Sequence, residues 1–109
     1  MDKEASFVDV ASVNDLPIGT TKRFTLQNGD ILLANVDGEI YAVDDMCTHE
    51  DSSLSLGCLK GELVSCTLHG SRFNVRTGEP MEEPATESLQ RYKVRIHNKR
   101  IEICIQPIK

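Results

Sequence analysis

The chain has 109 residues, 39% of them hydrophobic, with few aromatics and no tryptophan. That is enough to bury the core of one domain without disulfides and too little for a second. A formal net charge of -5 with no basic tract argues against a nucleic-acid partner, whose phosphates demand cations. No apolar run approaches the roughly 20 residues of a membrane span. The start, Met1-Asp2-Lys3-Glu4-Ala5-Ser6, lacks the basic and apolar parts of a signal peptide, so a cytoplasmic protein with no membrane partner is expected.

From the N-terminus, Phe7 to Val10 reads as a strand, and a single helical turn follows from Ser12 as cap to Leu16, closed by Pro17. Lys22 to Leu26, Asp30 to Val36 and Glu39 to Val43 are short apolar or β-branched runs. The turn dipeptides Asn28-Gly29 and Asp37-Gly38 separate them, which predicts a β-meander. Between Asp44 and Pro80 the periodicity fades and Gly57, Gly61, Gly70 and Gly78 interrupt the chain. Residues 45–80 are therefore expected to be a loop-rich insert whose irregular backbone needs a cofactor to hold it. Beyond it, Tyr92, Val94 and Ile96 alternate with Arg91, Lys93 and Arg95, and Ile101, Ile103 and Ile105 with Arg100, Glu102 and Cys104. This predicts an antiparallel hairpin with one buried face and a turn at residues 97–99.

Four cysteines, Cys47, Cys58, Cys66 and Cys104, could form two disulfides in a secreted chain. In a reducing cytoplasm, metal binding accounts better for those beside histidines. Cys47-Thr48-His49 is followed, after sixteen residues, by Cys66-Thr67-Leu68-His69. Each segment offers one thiolate and one imidazole. A two-iron, two-sulfide cluster of mixed ligation takes two thiolates on one iron and two imidazoles on the other, and this alternation supplies them from both sides. A structural zinc site is the alternative, although zinc fingers ordinarily keep their cysteines together and their histidines together.

With its Gly70-Ser71-Arg72-Phe73 and Arg76-Thr77-Gly78 sequences, the segment from Cys47 to Pro80 resembles the Rieske family. The likeness is to the Rieske ferredoxins serving bacterial aromatic-ring dioxygenases. It implies an all-β Rieske fold over residues 1–109, in which an antiparallel β-sandwich base carries residues 45–80 as an inserted cluster-binding subdomain. It also implies one [2Fe-2S] cluster per chain, with Cys47 and Cys66 on the inner iron and His49 and His69 on the outer, more exposed one. The implied role is an electron-transfer component rather than an enzyme. Single electrons would pass from an NAD(P)H-dependent flavin reductase to a terminal oxygenase, both met transiently. The small Rieske-type subunit of an assimilatory NAD(P)H nitrite reductase is the alternative.

The departures bear on potential and docking. Respiratory and photosynthetic members of the family carry an extra cysteine after each ligand pair, joined as a disulfide; Ser52 and Leu68 stand there in this chain. Ser71 keeps one of the hydroxyls those members aim at the cluster, and Phe73 lacks the other. Fewer hydrogen bonds to sulfur, together with the carboxylates Asp44, Asp45, Glu50 and Asp51, imply the low end of the Rieske range, roughly -150 mV. Glu50 and Thr67 replace a glycine and a proline common among the resembling ferredoxins. Asp44, Asp45, Glu50, Asp51 and Glu62 outweigh Lys60, so the cluster end is expected to be acidic and to steer a cationic partner, with Leu54, Leu56 and Leu68 as the alternative apolar docking surface.

The remaining chemistry-bearing residues read as structural. Cys58 is a small loop residue, Cys104 falls on the polar phase of the last strand, and His97 is solvated at the hairpin turn. Adjacent carboxylates at Asp44-Asp45 and Glu82-Glu83 point apart along a strand or loop and are no acid–base pair. Gly57 and Gly61 are read as turn residues rather than a phosphate loop.

Overall fold

The computed structural model describes residues 7–26, 29–46, 54, 57–65, 72–82 and 88–108. In chain order the strands among them are β1 (Phe7–Ser12), β2 (Thr21–Leu26), β3 (Gly29–Val36), β4 (Glu39–Asp44), β5 (Leu59–Lys60), β6 (Leu63–Ser65), β7 (Arg72–Asn74), β8 (Pro80–Glu82), β9 (Arg91–His97) and β10 (Arg100–Ile108). A six-stranded sheet runs β1-β10-β9-β4-β3-β2 and a four-stranded sheet runs β5-β6-β7-β8, every pair antiparallel. The all-β expectation holds.

The larger sheet is made by hairpins whose turns are written in the sequence. Asp37 and Gly38 take φ of 53° and 97°, and Asn98 and Lys99 take 52° and 63°. These left-handed pairs match the right-handed twist of the strands they join. Between β9 and β4 the ladder is short, with only Ala42 opposite Tyr92 and Val43 opposite Arg91. The sheet thus divides into two halves, β1-β10-β9 and β4-β3-β2. Ala11, Tyr92, Ile101 and Ile103 of the first half pack with Ile31, Leu33 and Ala42 of the second in one buried cluster. The two halves are the faces of the expected sandwich.

A second core lies on the other side of β3 and β4. There Leu32, Ala34 and Val43 pack against Val64 and Phe73 of the small sheet, with Leu54, Val75 and Leu89. Because β3 has a core on both faces, Ile31 to Asn35 are buried in succession. That explains why its sequence is a continuous apolar run rather than an alternation.

Asn35 is the polar member of that run, 7% exposed, and all its groups are used. Its side-chain amide donates to the Leu16 carbonyl at 2.8 Å, and its side-chain oxygen accepts the Gly38 N–H at 2.8 Å. Its own N–H donates to Thr20 and its carbonyl accepts from Gly19. It thereby pins the turn that follows the 3-10 turn Val13–Asp15, whose cap is Ser12, with Asp15 reciprocating as a capping box.

The segment between Asp44 and Pro80 is interrupted by short strands, β5 to β7, which form a sheet with β8; strands of two or three residues are too short to show a period of two. Two expectations need correction. Cys104 is buried, at 3% exposure, because a register irregularity in β10 after Ile103 breaks the alternation that would have turned it outward. Ile96 is exposed at 49%, so the inward face of β9 gives out towards the hairpin tip.

Truncating Asn35 would strand the Leu16 carbonyl and the Gly38 N–H. Asn35→Ala is expected to lower unfolding stability by about 1–3 kcal/mol, read as a lower denaturation midpoint at unchanged m-value.

Candidate metal centre

Cys47, His49, Cys66 and His69 lie outside the described residues, and the frame that leads into and out of them can be followed atom by atom. At the end of β4 the Asp44 N–H donates to the Gln90 carbonyl at 3.0 Å, and the Asp44 carboxylate accepts the Tyr92 hydroxyl at 2.6 Å. The Asp45 N–H then donates to Asp30, and the Asp45 carbonyl accepts the Leu54 N–H at 2.6 Å. Residues 46–53, which include Cys47 and His49, therefore leave and return through one hydrogen-bonded neck. Leu54 closes it from below, fully buried in the core between the sheets.

Ser65 of β6 is opposite Arg72 of β7, and residues 66–71, which include Cys66 and His69, lie between them in sequence. The two necks adjoin. The Gly57 N–H donates to Leu54, and the Ser65 N–H donates to the Cys58 carbonyl at 2.9 Å. At Gly57 a Cβ would fall 1.7 Å from the Ser65 carbonyl oxygen. Only glycine allows this approach; Gly57 closes a turn onto Leu54, as expected, and the close contact, not a left-handed φ, is what requires glycine there. Gly61, with φ of 61°, is a turn glycine as expected.

The donor chemistry suits iron. Two adjoining loops, each bearing one thiol and one imidazole, fit a two-iron cluster of mixed ligation. Among the described residues no group of three or more His, Cys, Asp or Glu is placed to hold a metal. Cys58 and Cys104 are free thiols, the first exposed and the second buried.

The expected acidic rim is redrawn. Asp45 is 1% exposed and presents no charge to a partner. Glu62 lies at the far end of β6 from Ser65, where it accepts from the Asn74 side-chain amide at 2.8 Å and faces Arg76 at 3.8 Å. Leu54 is core and no docking residue. Met46, 48% exposed and directly before Cys47, is the apolar side chain that the described residues present at this point. Glu50, Asp51, Leu56 and Leu68 lie outside the described residues. Phe73 is fully buried beside Val64. Neither the Gly57 contact nor the Tyr92–Asp44 bond carries a sequence signal, because each joins residues distant in the chain.

An all-β scaffold of two sheets, whose adjoining necks flank the two cysteine–histidine segments in sequence, suits a metalloprotein of mixed thiolate and imidazole ligation. The Rieske [2Fe-2S] domain family matches residues 6–93. The chain belongs to that family, and its cofactor is a Rieske-type [2Fe-2S] cluster. Among curated relatives it is 38% identical over 96 residues, 88% of this chain and 92% of the relative, to the ferredoxin component of the naphthalene 1,2-dioxygenase/salicylate 5-hydroxylase systems of a Ralstonia species. It is 37% identical to the biphenyl dioxygenase ferredoxin subunit of Pseudomonas sp. strain KKS102, covering 88% of this chain and 89% of that one. Of solved structures, a chain in the complex of reduced oxygenase and oxidized ferredoxin of carbazole 1,9a-dioxygenase superposes with a TM-score of 0.91 at 30% identity, over 94% of this chain and 96% of that one. The ferredoxin of carbazole 1,9a-dioxygenase from Nocardioides aromaticivorans IC177 gives 0.87 at 26% identity, over 92% and 98%.

Tyr92 offers a spectroscopic handle on the β4 end. Burial first, then the hydrogen bond to Asp44 and its charge, push the Tyr92 phenol above the ordinary tyrosine range. A folded pKa above the unfolded value means that the stabilising contribution is fully present below the ordinary phenol pKa of about 10. It is lost as pH rises through the folded value. In an ultraviolet titration Tyr92 is expected to ionise late, together with alkaline unfolding, and Tyr92→Phe should remove that late absorbance change. A variant that keeps it would show that another group is responsible.

Proposed function

We propose that the chain is a mobile single-electron carrier, taking electrons from an NAD(P)H-dependent flavin reductase and delivering them to the terminal oxygenase of an aromatic-ring dioxygenase system, with no substrate chemistry of its own. What carries this reading is the near full-length correspondence, in both directions, with proteins named as ferredoxin components of such systems, on a scaffold whose two necks serve cysteine–histidine loops. Free thiols at Cys58 and Cys104 suit a reducing compartment such as the cytoplasm. No helix among the described residues is long and apolar enough to cross a membrane.

In this reading Cys47 and Cys66 hold one iron through their thiolates, and His49 and His69 hold the other through a ring nitrogen. The bound cluster supplies reversible acceptance of one electron. The chain does the rest: the Asp45–Leu54 neck and the β6–β7 stem orient the ligands, and the core residues Leu54, Val64 and Phe73 exclude water beneath them. The imidazole edges are the electron's exit, and residues 45–80 work as one cluster-binding unit on the sandwich base.

Purified protein is expected to be red-brown, with iron and acid-labile sulfide in equal amounts. Cys47→Ser and Cys66→Ser should abolish the reduced cluster's EPR signal, whereas Cys58→Ser and Cys104→Ser should leave it intact. Zinc without sulfide in metal analysis would defeat the assignment. Function is tested by stopped-flow mixing of the reduced protein with a naphthalene dioxygenase oxygenase component. Electron transfer is expected at a bimolecular rate that falls with added salt, as for charge-steered encounters, and Glu50→Gln with Asp51→Asn should lower the low-salt rate. No transfer to the oxygenase would refute the proposed partner. A rate indifferent to salt and to both substitutions would show that docking does not depend on this acidic pair.

A further inference from the structure

The two loops assigned to the cluster are separate in sequence, and the described residues include no disulfide that could tie them, both thiols there being free. The necks beneath them are tied through backbone contacts. On one side, the neck of residues 46–53 ends at Leu54, which is fully buried among Val64, Phe73 and Val75 and bonded to the Asp45 carbonyl. Three residues on, the Gly57 N–H is bonded back to the Leu54 carbonyl at 2.9 Å, so Gly57 is rigidly placed with respect to that neck. On the other side, Ser65 is the last residue of β6 and the one before Cys66. Its N–H is bonded to Cys58, while its carbonyl lies against the bare face of Gly57.

The Ser65 carbonyl belongs to the peptide that continues into Cys66. Any movement of Gly57 against it is passed to a ligand position across a single peptide plane, which is stiff. A Cβ at residue 57 would fall 1.7 Å from that oxygen and 2.9 Å from its carbon, whereas ordinary contact begins near 3.4 Å. The obstacle is backbone, not a side chain that can swing away. The necks would have to part by well over an ångström, whereas ligand bonds to a metal centre tolerate only about 0.2 Å.

We propose that Gly57 is a positioning residue for electron transfer, and that Leu54 is its anchor. The contact of Gly57 with the Ser65 carbonyl sets the spacing of the two ligand loops, and through it the geometry and potential of the bound cluster. This rests on the assignment of Cys47, His49, Cys66 and His69 as ligands, and it adds the element that holds their two loops in register without a covalent tie.

The test uses holoprotein of Gly57→Ala, Gly57→Ser and Leu54→Val, with Asn35→Ala as a comparison. Asn35 sits at the opposite end of β3 from Asp30, the hydrogen-bond partner of Asp45, so its loss destabilises the fold away from the necks. Three readings are made: the g-values and line width of the reduced EPR signal, the midpoint potential, and the rate of cluster loss to a chelator. The Gly57 variants are expected to alter the first two and to lose the cluster about tenfold faster, equivalent to about 1.4 kcal/mol off the barrier. Leu54→Val should move all three in the same sense by less. Asn35→Ala should lower the denaturation midpoint while leaving the EPR signal and potential at wild-type values.

Wild-type EPR signal and potential in Gly57→Ala would overturn the proposal. So would changes in Asn35→Ala of the same kind, scaled to its loss of stability, because they would make the Gly57 effect a consequence of general loosening. If neither Gly57 variant yields holoprotein, Leu54→Val decides alone, and a normal potential there counts against the anchor. Failure of the ligand assignment shows differently, as a Cys66→Ser variant that keeps the native EPR signal.

Discussion

The ligation proposed above, by four side chains from two loops, requires those loops to be held at one separation, and the proposed holder is a bare glycine face pressed against a backbone carbonyl. The energetics show why a buried anchor alone is not enough. Burying Leu54 contributes roughly 1.5–3 kcal/mol, while ordering each backbone residue costs roughly 1–2 kcal/mol. The hydrogen bond between Asp45 and Leu54 and the packing beneath it add to that anchor.

The scaffold is built to make that neck rigid. β3 is buried on both faces, so the strand that receives Asp45 through the Asp30 carbonyl cannot shift without disturbing two cores at once. The sandwich core and the core beneath the small sheet thus meet at β3 and β4. A close-packed interior transmits displacement rather than absorbing it. The Tyr92–Asp44 bond ties the first strand of the C-terminal hairpin into the same region.

Charge is distributed for a different task. The C-terminal hairpin carries Lys93, Arg95, Lys99 and Arg100, but Arg95 is paired with Glu102 and stacked on the Phe7 ring, and Arg100 is forked onto Asp9. Those pairs are exposed, and each adds little to stability. They do cancel much of the positive field of the hairpin. The acidic side is thinned as well, since Asp45 is buried and Glu62 lies near Arg76. Charge counted along the chain is therefore a poor guide to charge presented at a surface.

The sequence by itself determined the meander and the closing hairpin, because Asp37-Gly38 and Asn98-Lys99 are local conformational preferences and the alternation of β9 needs no partner to be read. It also determined the cofactor class, since the choice and spacing of Cys47, His49, Cys66 and His69 is a matter of covalent order. Only the tertiary structure decided the short strands β5 to β8, which are too brief to show a period and exist because a core forms beneath them. It alone moved Cys104 inward through an irregularity in β10, and it alone took Leu54 from a candidate docking residue to the floor beneath the first loop. Gly57 shows the reason most plainly: what makes it glycine is a carbonyl eight residues away, and no property of the residue or its neighbours announces a contact that exists only after the chain has folded back on itself.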